Sequence, residues 1–267
     1  MRITNNTILI TGGATGIGFE LAKEFIANGN TVIICGRREE KLNEAKRLLP
    51  QLIIKQCDVG DIEQRRELYK FCVTNHAEIN VLVNNAGMQR EIDFRKGEEN
   101  YLQGDNEVSI NLDACFHLTA LFTPYFMKKN EAAIINVTSG LGIIPLIITP
   151  VYSATKAGLH SFSVSLRNQL TSTSVKVFEI IPPIVDTDLD RGARDKRGQT
   201  DKGIKPEQVA KESIEAIAKD KFEIPIGIVK VLRIGSRVSP KLFLKIINKK
   251  SPMPAKQDDR EETLPLT

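Results

Sequence analysis

The run VYSATKAGLH, Val151 to His160, sets a phenol four residues ahead of an ammonium. At 3.6 residues per helical turn, Tyr152 and Lys156 project from one face as neighbours, so a weak acid and a cation can touch. Tyr-x-x-x-Lys is also a common surface accident, and the pair needs a setting that gives it a use. A second stretch offers one. TGGATGIG, Thr11 to Gly18, lies between an apolar run and a helical pattern. Glycines there permit a tight turn and let backbone N–H groups at a helix N-terminus approach a pyrophosphate. Gly12, Gly16 and Gly18 follow T-G-x-x-x-G-x-G rather than G-x-G-x-x-G, a departure from the commoner dinucleotide fingerprint.

Further chemistry follows at regular intervals. The second apolar run ends VIICGRR, with Gly36 where an NAD-selective acid would stand and Arg37 and Arg38 beside it. Two guanidinium forks match the oxygens of a 2′-phosphate, which favours NADP(H) over NAD(H); alternatively both arginines only solvate a helix start. Asp58 ends the third run, where its carboxylate can accept from an adenine amino group or belong with Asp61 to a helix cap. NNAG, Asn84 to Gly87, ends the fourth run; its amides can tie strands and its small residues leave room for a ribose, or it is a plain turn.

These residues need a frame. Short apolar runs alternate with amphipathic segments: TILIT, a helix over Gly16–Ala27, TVIIC, a helix from about Arg38 to Leu49, LIIKQC, a helix from about Asp61 to Asn75, and VLVNN. A long helix from about Asp105 to Met127, AAIINVTS, the helix opened by Tyr152, VKVFEII, a helix beginning near Pro206 and FEIPIG complete the pattern. Parallel neighbours require crossover helices, and strands buried on both faces read as continuously apolar, so the fold class is a doubly wound parallel α/β sheet of about seven strands with helices on both faces. Ligands in such sheets bind beyond the carboxyl ends of the strands. The glycine turn, Gly36, Asp58, Asn84, Ser139 and the IIPPIVDT segment with Pro182 and Thr187 therefore fall on one rim.

The totals agree. With 267 residues, 41% hydrophobic and 26% charged, the chain reads as a soluble globular protein of one main domain. Thirty-seven basic against 33 acidic residues, a net charge of +4, give no nucleic-acid signature. Cys35, Cys57, Cys72 and Cys115 lack the spacing of zinc or redox motifs and read as buried free thiols in a reducing, cytoplasmic setting. No apolar run approaches a membrane span, and no His, Cys, Asp or Glu cluster has metal-ligand spacing, so no metal is expected. His76, His117 and His160 read as ordinary helix residues.

T-G-x-x-x-G-I-G, N-N-A-G, Asn111, a serine, Tyr-x-x-x-Lys and Pro-x-x-x-x-Thr, in this order, resemble the short-chain dehydrogenase/reductase family from about Thr4 to Thr187, and more loosely to about Gly227. The C-terminal third is similar to a bacterial oxidoreductase subgroup named after the D-alanylation operon. The resemblance implies a Rossmann-like single domain that transfers a hydride between NADP(H), or NAD(H), and a carbonyl or alcohol. It makes Tyr152 the proton donor or acceptor; a free phenol titrates near pH ~10, and the Lys156 charge favours its anion. Lys156 also bonds the nicotinamide ribose, Ser139 rather than Thr138 holds the substrate oxygen, and Asn111 fixes a water that relays protons to Lys156. For the cofactor it implies Thr11, Gly12, Thr15, Gly16, Ile17 and Gly18 at the glycine turn, Arg37 and Arg38 at the 2′-phosphate, and Asp58 with Val59 at the adenine. It adds Asn85, Ala86 and Gly87 at the ribose, and Pro182, Val185 and Thr187 at the nicotinamide. Pro183 departs from the glycine usual after Pro182, removing an N–H there.

Alternatives from other classes are a nucleotide-binding sensor or scaffold without turnover, and a sugar-nucleotide epimerase or dehydratase. Against these stand the joint presence of Ser139, Tyr152 and Lys156 and the short C-terminal part. The family's long helices carrying Asn111 and Tyr152 imply a homodimer or homotetramer. Residues 1–235 are expected to form the dinucleotide-binding catalytic domain and 236–267 a basic amphipathic extension with a frayed tail from Ser251 onward. That extension, with Val238, Leu242, Phe243, Ile246 and Ile247 against lysines, suits a membrane-surface helix or, the expectation preferred here, packing on its own domain or a partner subunit. The polar loop Asp190–Gly203 reads as a lid over the site in preference to a simple exposed excursion. Leu141, Ile143, Ile144 and Leu146 suit an apolar substrate pocket and, equally, a place in the core.

Overall fold

The computed structural model describes residues 1–189, 191–201, 203–249, 251 and 253. Seven strands, β1 (Thr7–Thr11), β2 (Thr31–Gly36), β3 (Ile53–Gln56), β4 (Ile79–Asn84), β5 (Ala132–Val137), β6 (Val175–Ile181) and β7 (Glu223–Pro225), form one sheet. The order is β3-β2-β1-β4-β5-β6-β7 and every pairing is parallel. The chain winds outward from β1 in both directions, which opens a crevice between β1 and β4 at their carboxyl ends.

Strand periodicity sorts the core. Ile8 and Ile10 of β1 face one layer and Leu9 the other, because successive side chains alternate across a sheet. The first layer contains α1 (Gly16–Ala27), α2 (Glu39–Leu48) and α8 (Pro206–Ala218), whose Leu21, Phe25, Leu42, Val209 and Ile217 join the core. The second contains α3 (Ile62–Asn75), α5 (Ala114–Phe126) and α6 (Pro150–Gln169), through Leu68, Leu118, Phe122, Phe126 and Leu166. Asp61 caps α3 by accepting from the N–H groups of Glu63 and Gln64, and Pro150 opens α6, where its missing N–H costs nothing.

The helix expected over Asp105–Met127 runs from Glu107 to Phe126 with a π-helical turn inside it. Ser109–Asp113 form a π-helical turn before α5 begins, and such turns mark places where side chains intrude on the helical ladder. Two intrusions hold it. The buried Arg65 guanidinium donates to the Asp113 carbonyl at 3.1 Å and to its carboxylate at 2.8 Å, while Asn111 bonds the main chain of Met88. Between β4 and this turn, the Gln89–Gly104 stretch contains a short helix, α4 (Glu98–Leu102). The loop read as a lid contains α7 (Arg191–Lys196); Asp190 and Lys202 lie outside the described residues.

After β7 the chain forms α9 (Val229–Val238) and α10 (Pro240–Asn248), so one helix runs through residue 235. They form a hairpin so close that a Cβ on Gly235 would overlap the Phe243 ring. Packing on the rest of the domain covers only part of their apolar surface: Val229 is buried, whereas Val231, Ile234, Val238, Leu242 and Ile246 are exposed. The tail expected from Ser251 onward lies outside the described residues apart from Ser251 and Met253.

The first turn of α1 sits against the strand ends. A side chain on Gly18 would overlap the Gly12 carbonyl and the Asn85 amide. Gly18→Ala is therefore expected to destabilise the protein by about 1–3 kcal/mol, the usual cost of overpacking a tight contact. Denaturant unfolding checks this; an unchanged midpoint would show that the α1–β4 contact is slack.

Candidate active site

A cleft of about 1380 Å³ opens over the carboxyl ends of the strands. Its floor begins at the glycine turn. Gly12 and Gly16 take φ of +62° and +55°, values that favour glycine, and Thr15 precedes α1 without making a side-chain cap. The first turn of α1 also has no acidic residue. Its N–H groups and positive dipole end thus point at the cleft without a carboxylate of their own, which fits a pyrophosphate. A Cβ on Gly16 would stand 3.0 Å from the Thr187 methyl, so Thr187 closes over this turn from the far side.

Lys156 and Tyr152 stand on the first turns of α6, both almost fully buried and both on the cleft wall. The Lys156 nitrogen lies 5.7 Å from the centre of the Tyr152 ring and donates to the Val137 carbonyl at 2.9 Å. Burial pushes the lysine below its ordinary pKa, because an ammonium loses hydration there. Nearby Cys115 is pushed up to about 11, chiefly by burial, so it stays a neutral thiol at neutral pH. Ser139 follows β5, and its hydroxyl accepts from the Leu141 N–H at 3.1 Å. The next turn presses on α6: a Cβ on Gly142 would lie 2.8 Å from the Lys156 carbonyl group. The absence of that atom lets the serine and the lysine share one wall.

Thr138 and Ser139 are neighbours with different occupations. Both line the cleft, as Tyr152 does, but the Thr138 hydroxyl is spent on the fully buried Glu179, to which it donates at 2.7 Å. Asn111 is completely buried behind this wall. Its amide donates to the Met88 carbonyl at 2.8 Å and to the Thr155 hydroxyl at 3.2 Å, and its oxygen accepts from the Met88 N–H at 2.9 Å. The oxygen and the Lys156 nitrogen lie 3.4 and 3.6 Å from the Cβ position that Gly87 leaves empty.

Of the residues expected at the cofactor, Gly12, Thr15, Gly16, Ile17, Arg37, Arg38, Asp58, Val59, Asn85, Ala86, Gly87, Pro182, Val185 and Thr187 line the cleft. Thr11, Gly18 and Asn111 lie behind its wall. The Thr11 hydroxyl accepts from the N–H groups of Asn85 and Ala86, both at 3.0 Å, and so ties β1 to the loop after β4. Asn84 ties strands in the other direction, donating to Asn136 on β5 at 2.9 Å. Leu141, Ile144 and Leu146 line the cleft and Ile143 does not. Arg37 stands 3.9 Å from Asp58 and pairs at 2.6 Å with Asp105, a partner 68 residues away that sequence spacing could not indicate. Sequence reasoning also missed Met88, Thr155 and Glu179, whose roles are to hold other side chains, and Leu232, Ile246 and Ile247 from the C-terminal helices, which line the cleft.

His160, one turn beyond Lys156, is more than an ordinary helix residue. Its Nδ1 lies 2.9 and 3.0 Å from the two Glu179 oxygens, and that hydrogen bond raises its pKa. A raised folded-state value means that the pair stabilises the protein fully below the unfolded histidine value near pH ~6.5 and loses that contribution as pH rises through the folded value. The stability difference between wild type and His160→Gln is therefore expected to be largest below about pH 6.5 and to shrink at higher pH. Denaturant unfolding across pH checks this; a difference independent of pH would refute the linkage.

The family model described as short chain dehydrogenase matches residues 6–198. An oxidoreductase of unassigned activity from Bacillus subtilis strain 168, DltE, is 52% identical over 237 residues, spanning 89% of this chain and 94% of its own. The NADP-dependent 3-hydroxy acid dehydrogenase YdfG of Escherichia coli K12 is 31% identical over 214 residues, covering 76% of this chain and 85% of its own. Among solved structures, a short chain dehydrogenase/reductase from Burkholderia phymatum in complex with NAD superposes with a TM-score of 0.79 at 19% identity, over 89% of this chain and 95% of that one. With its parallel sheet, its glycine turn and the tyrosine and lysine on one cleft wall, this chain belongs to the short-chain dehydrogenase/reductase family of oxidoreductases.

Proposed function

We propose that this protein interconverts a carbonyl and an alcohol with a nicotinamide dinucleotide, NADP(H) in preference to NAD(H). The observation that carries the reading is the Tyr152–Lys156–Ser139 group on one wall of a cleft whose floor is an uncapped helix N-terminus. When bound, the nicotinamide supplies or accepts the hydride. Backbone N–H groups of Gly16, Ile17 and Gly18 receive the pyrophosphate, Asn85 to Gly87 border a ribose, and Asp58 with Val59 receives the adenine. Pro182, Val185 and Thr187 bound the nicotinamide end.

Ser139 donates to the substrate oxygen and steadies the charge that develops there. Tyr152 gives that oxygen a proton during reduction and removes one during oxidation. Lys156 stabilises the phenolate form, and this electrostatic effect is strengthened because water is excluded from its nitrogen. Asn111 fixes the Met88 loop beside the lysine and, through it, the path by which a water reaches Lys156. The α7 segment brings Arg194 and Gln199 to the cleft edge, which supports its reading as a lid. Four buried free thiols support a cytoplasmic setting, and α5 and α6, where the exposed Phe116 meets Phe162 at 4.4 Å, supply the surface for a homodimer or homotetramer.

The NADP preference rests on Gly36, which removes the usual carboxylate, and on Arg37 and Arg38 at the same strand end. The NADP-dependent relative from E. coli supports the choice. A 2′-phosphate would exchange the Asp105 partner of Arg37 for a stronger one, since phosphate offers more acceptors and more charge than a carboxylate. Arg37→Ala with Arg38→Ala is expected to weaken NADPH binding about tenfold or more, roughly 1.4 kcal/mol, and to leave NADH binding nearly unchanged. Titration of both nucleotides checks this; equal losses for the two would place the arginines away from the 2′ position.

A panel of aldehydes and ketones with NADPH, followed at the nicotinamide absorbance, tests turnover. Tyr152→Phe is expected to bind NADPH as wild type does and to lose roughly 10²–10⁴-fold in kcat with any substrate found, the usual worth of a positioned acid or base. Undiminished turnover in that variant would end the proposal.

A further inference from the structure

The C-terminal hairpin is amphipathic the wrong way round for a helix pair that merely completes a soluble domain. In such a helix the apolar arc turns inward and the charged arc faces water. On α9 the exposure of Val231 is 55%, of Ile234 68% and of Val238 80%, three residues that recur at helical spacing on one face. On α10, Leu242 is 52% exposed and Ile246, which also borders the cleft, 51%, while Phe243 is spent on the contact with Gly235. The apolar outer strip is flanked by charge of a single sign. Arg237 on α9, Lys241 and Lys245 on α10 and Lys249 just beyond it are exposed, as is Lys230, which pairs with Glu212 on α8 at 3.5 Å. From Ile224 to Gln257 the sequence contains eight basic residues and no acidic one, although the whole chain carries nearly balanced charge.

We propose that α9 and α10 form a docking surface for an anionic lipid membrane. No helix among the described residues is long and apolar enough to cross a membrane. The contact is interfacial: the aliphatic strip enters the boundary between headgroups and acyl chains, and the lysine and arginine nitrogens remain among the lipid phosphates. The surface thus reverses the packing preferred for this segment on sequence alone.

The charge selects the occupant. A second copy of the chain meeting this face across a two-fold axis would set basic arc against basic arc, which opposes association. Nucleic acid would match the charge but would leave the valines, isoleucines and leucines in water, since phosphates and bases offer no aliphatic layer for them to enter. An anionic bilayer satisfies both halves of the pattern. The hairpin has a further consequence: Val229, Leu232 and Ile247 line the cleft from its other side, so docking would hold the cleft wall at the lipid surface. The proposal concerns binding alone and stands whether or not a substrate is found.

Flotation of the full chain with vesicles tests it. Vesicles of phosphatidylcholine alone are compared with vesicles containing about 30 mol% phosphatidylglycerol, at about 0.1 M and about 1 M salt. The expected result is at least about tenfold stronger binding to the anionic vesicles, weakened by salt. Two variants separate the contributions, Ile234→Ser with Val238→Ser and Lys241→Gln with Lys245→Gln and Lys249→Gln. These side chains are exposed, so unchanged thermal unfolding establishes that each variant is folded, and each is expected to lose about tenfold or more in vesicle binding. Absence of flotation, equal flotation with both vesicle types, or flotation that survives both variants overturns the proposal. So does a dimer that the Ile234→Ser, Val238→Ser chain no longer forms while the wild type ignores vesicles.

Discussion

An ammonium ion with almost no water around it organises the cleft. Moving such a group out of water costs several kcal/mol even after relaxation, so the surroundings must hold it deliberately. Lys156 has the Val137 carbonyl for this, at the end of the strand that also carries Ser139. The arrangement constrains its neighbours. Gly87 leaves open the place where its nitrogen and the Asn111 oxygen converge, and Gly142 lets the turn after β5 close on the α6 backbone. Cys115 remains a neutral thiol beside it and so offers the lysine no counter-charge. The buried cation thus bears on Gly87 and on the end of β5, while Gly142 answers to the α6 backbone.

The rim is kept rigid by polar bonds below the level at which ligands bind. Asn84 reaches Asn136, and Asn136 reaches the Ser163 hydroxyl at 2.9 Å, a chain running from β4 through β5 into α6. Thr11 and Asn85 join β1 to the same layer. Satisfied groups at this depth fix strand ends more sharply than apolar packing can, although the buried Asn84 oxygen itself has no partner among the described residues. The parallel sheet brings loops from distant parts of the chain to one edge, and these bonds keep them in register.

The two ends of the cleft differ in how they are held. At the arginine end, Arg37, Asp58 and Asp105 form a half-exposed cluster open to rearrangement by a charged ligand. At the lysine end, Lys156, Asn111, Thr138 and Thr155 each have a fixed partner. The binding proposed for the first and the proton transfer proposed for the second make different demands: an exposed charge exchanges partners cheaply, whereas a reacting proton requires geometry that does not drift.

Local pattern was legible wherever a hydrogen-bonding period decided the outcome. The glycine turn leads into a helix over Gly16–Ala27 as the spacing implied, and Tyr152 and Lys156 share a helix face because four residues make slightly more than a turn. The strands were readable as apolar runs because burial on both faces leaves no room for alternation. What depended on distant residues was not legible. The π turn around Asn111 exists because Arg65 and Met88 pull on it, and Arg37 finds Asp105 only after the sheet has brought them together. The same holds for α9 and α10: their amphipathic period is written in the chain, but whether an apolar stripe is covered depends on the surfaces that folding sets beside it. Sequence alone determined periodicity and the residues available for chemistry, since both are local, while the tertiary structure decided partners and exposure, since both are properties of the assembled whole.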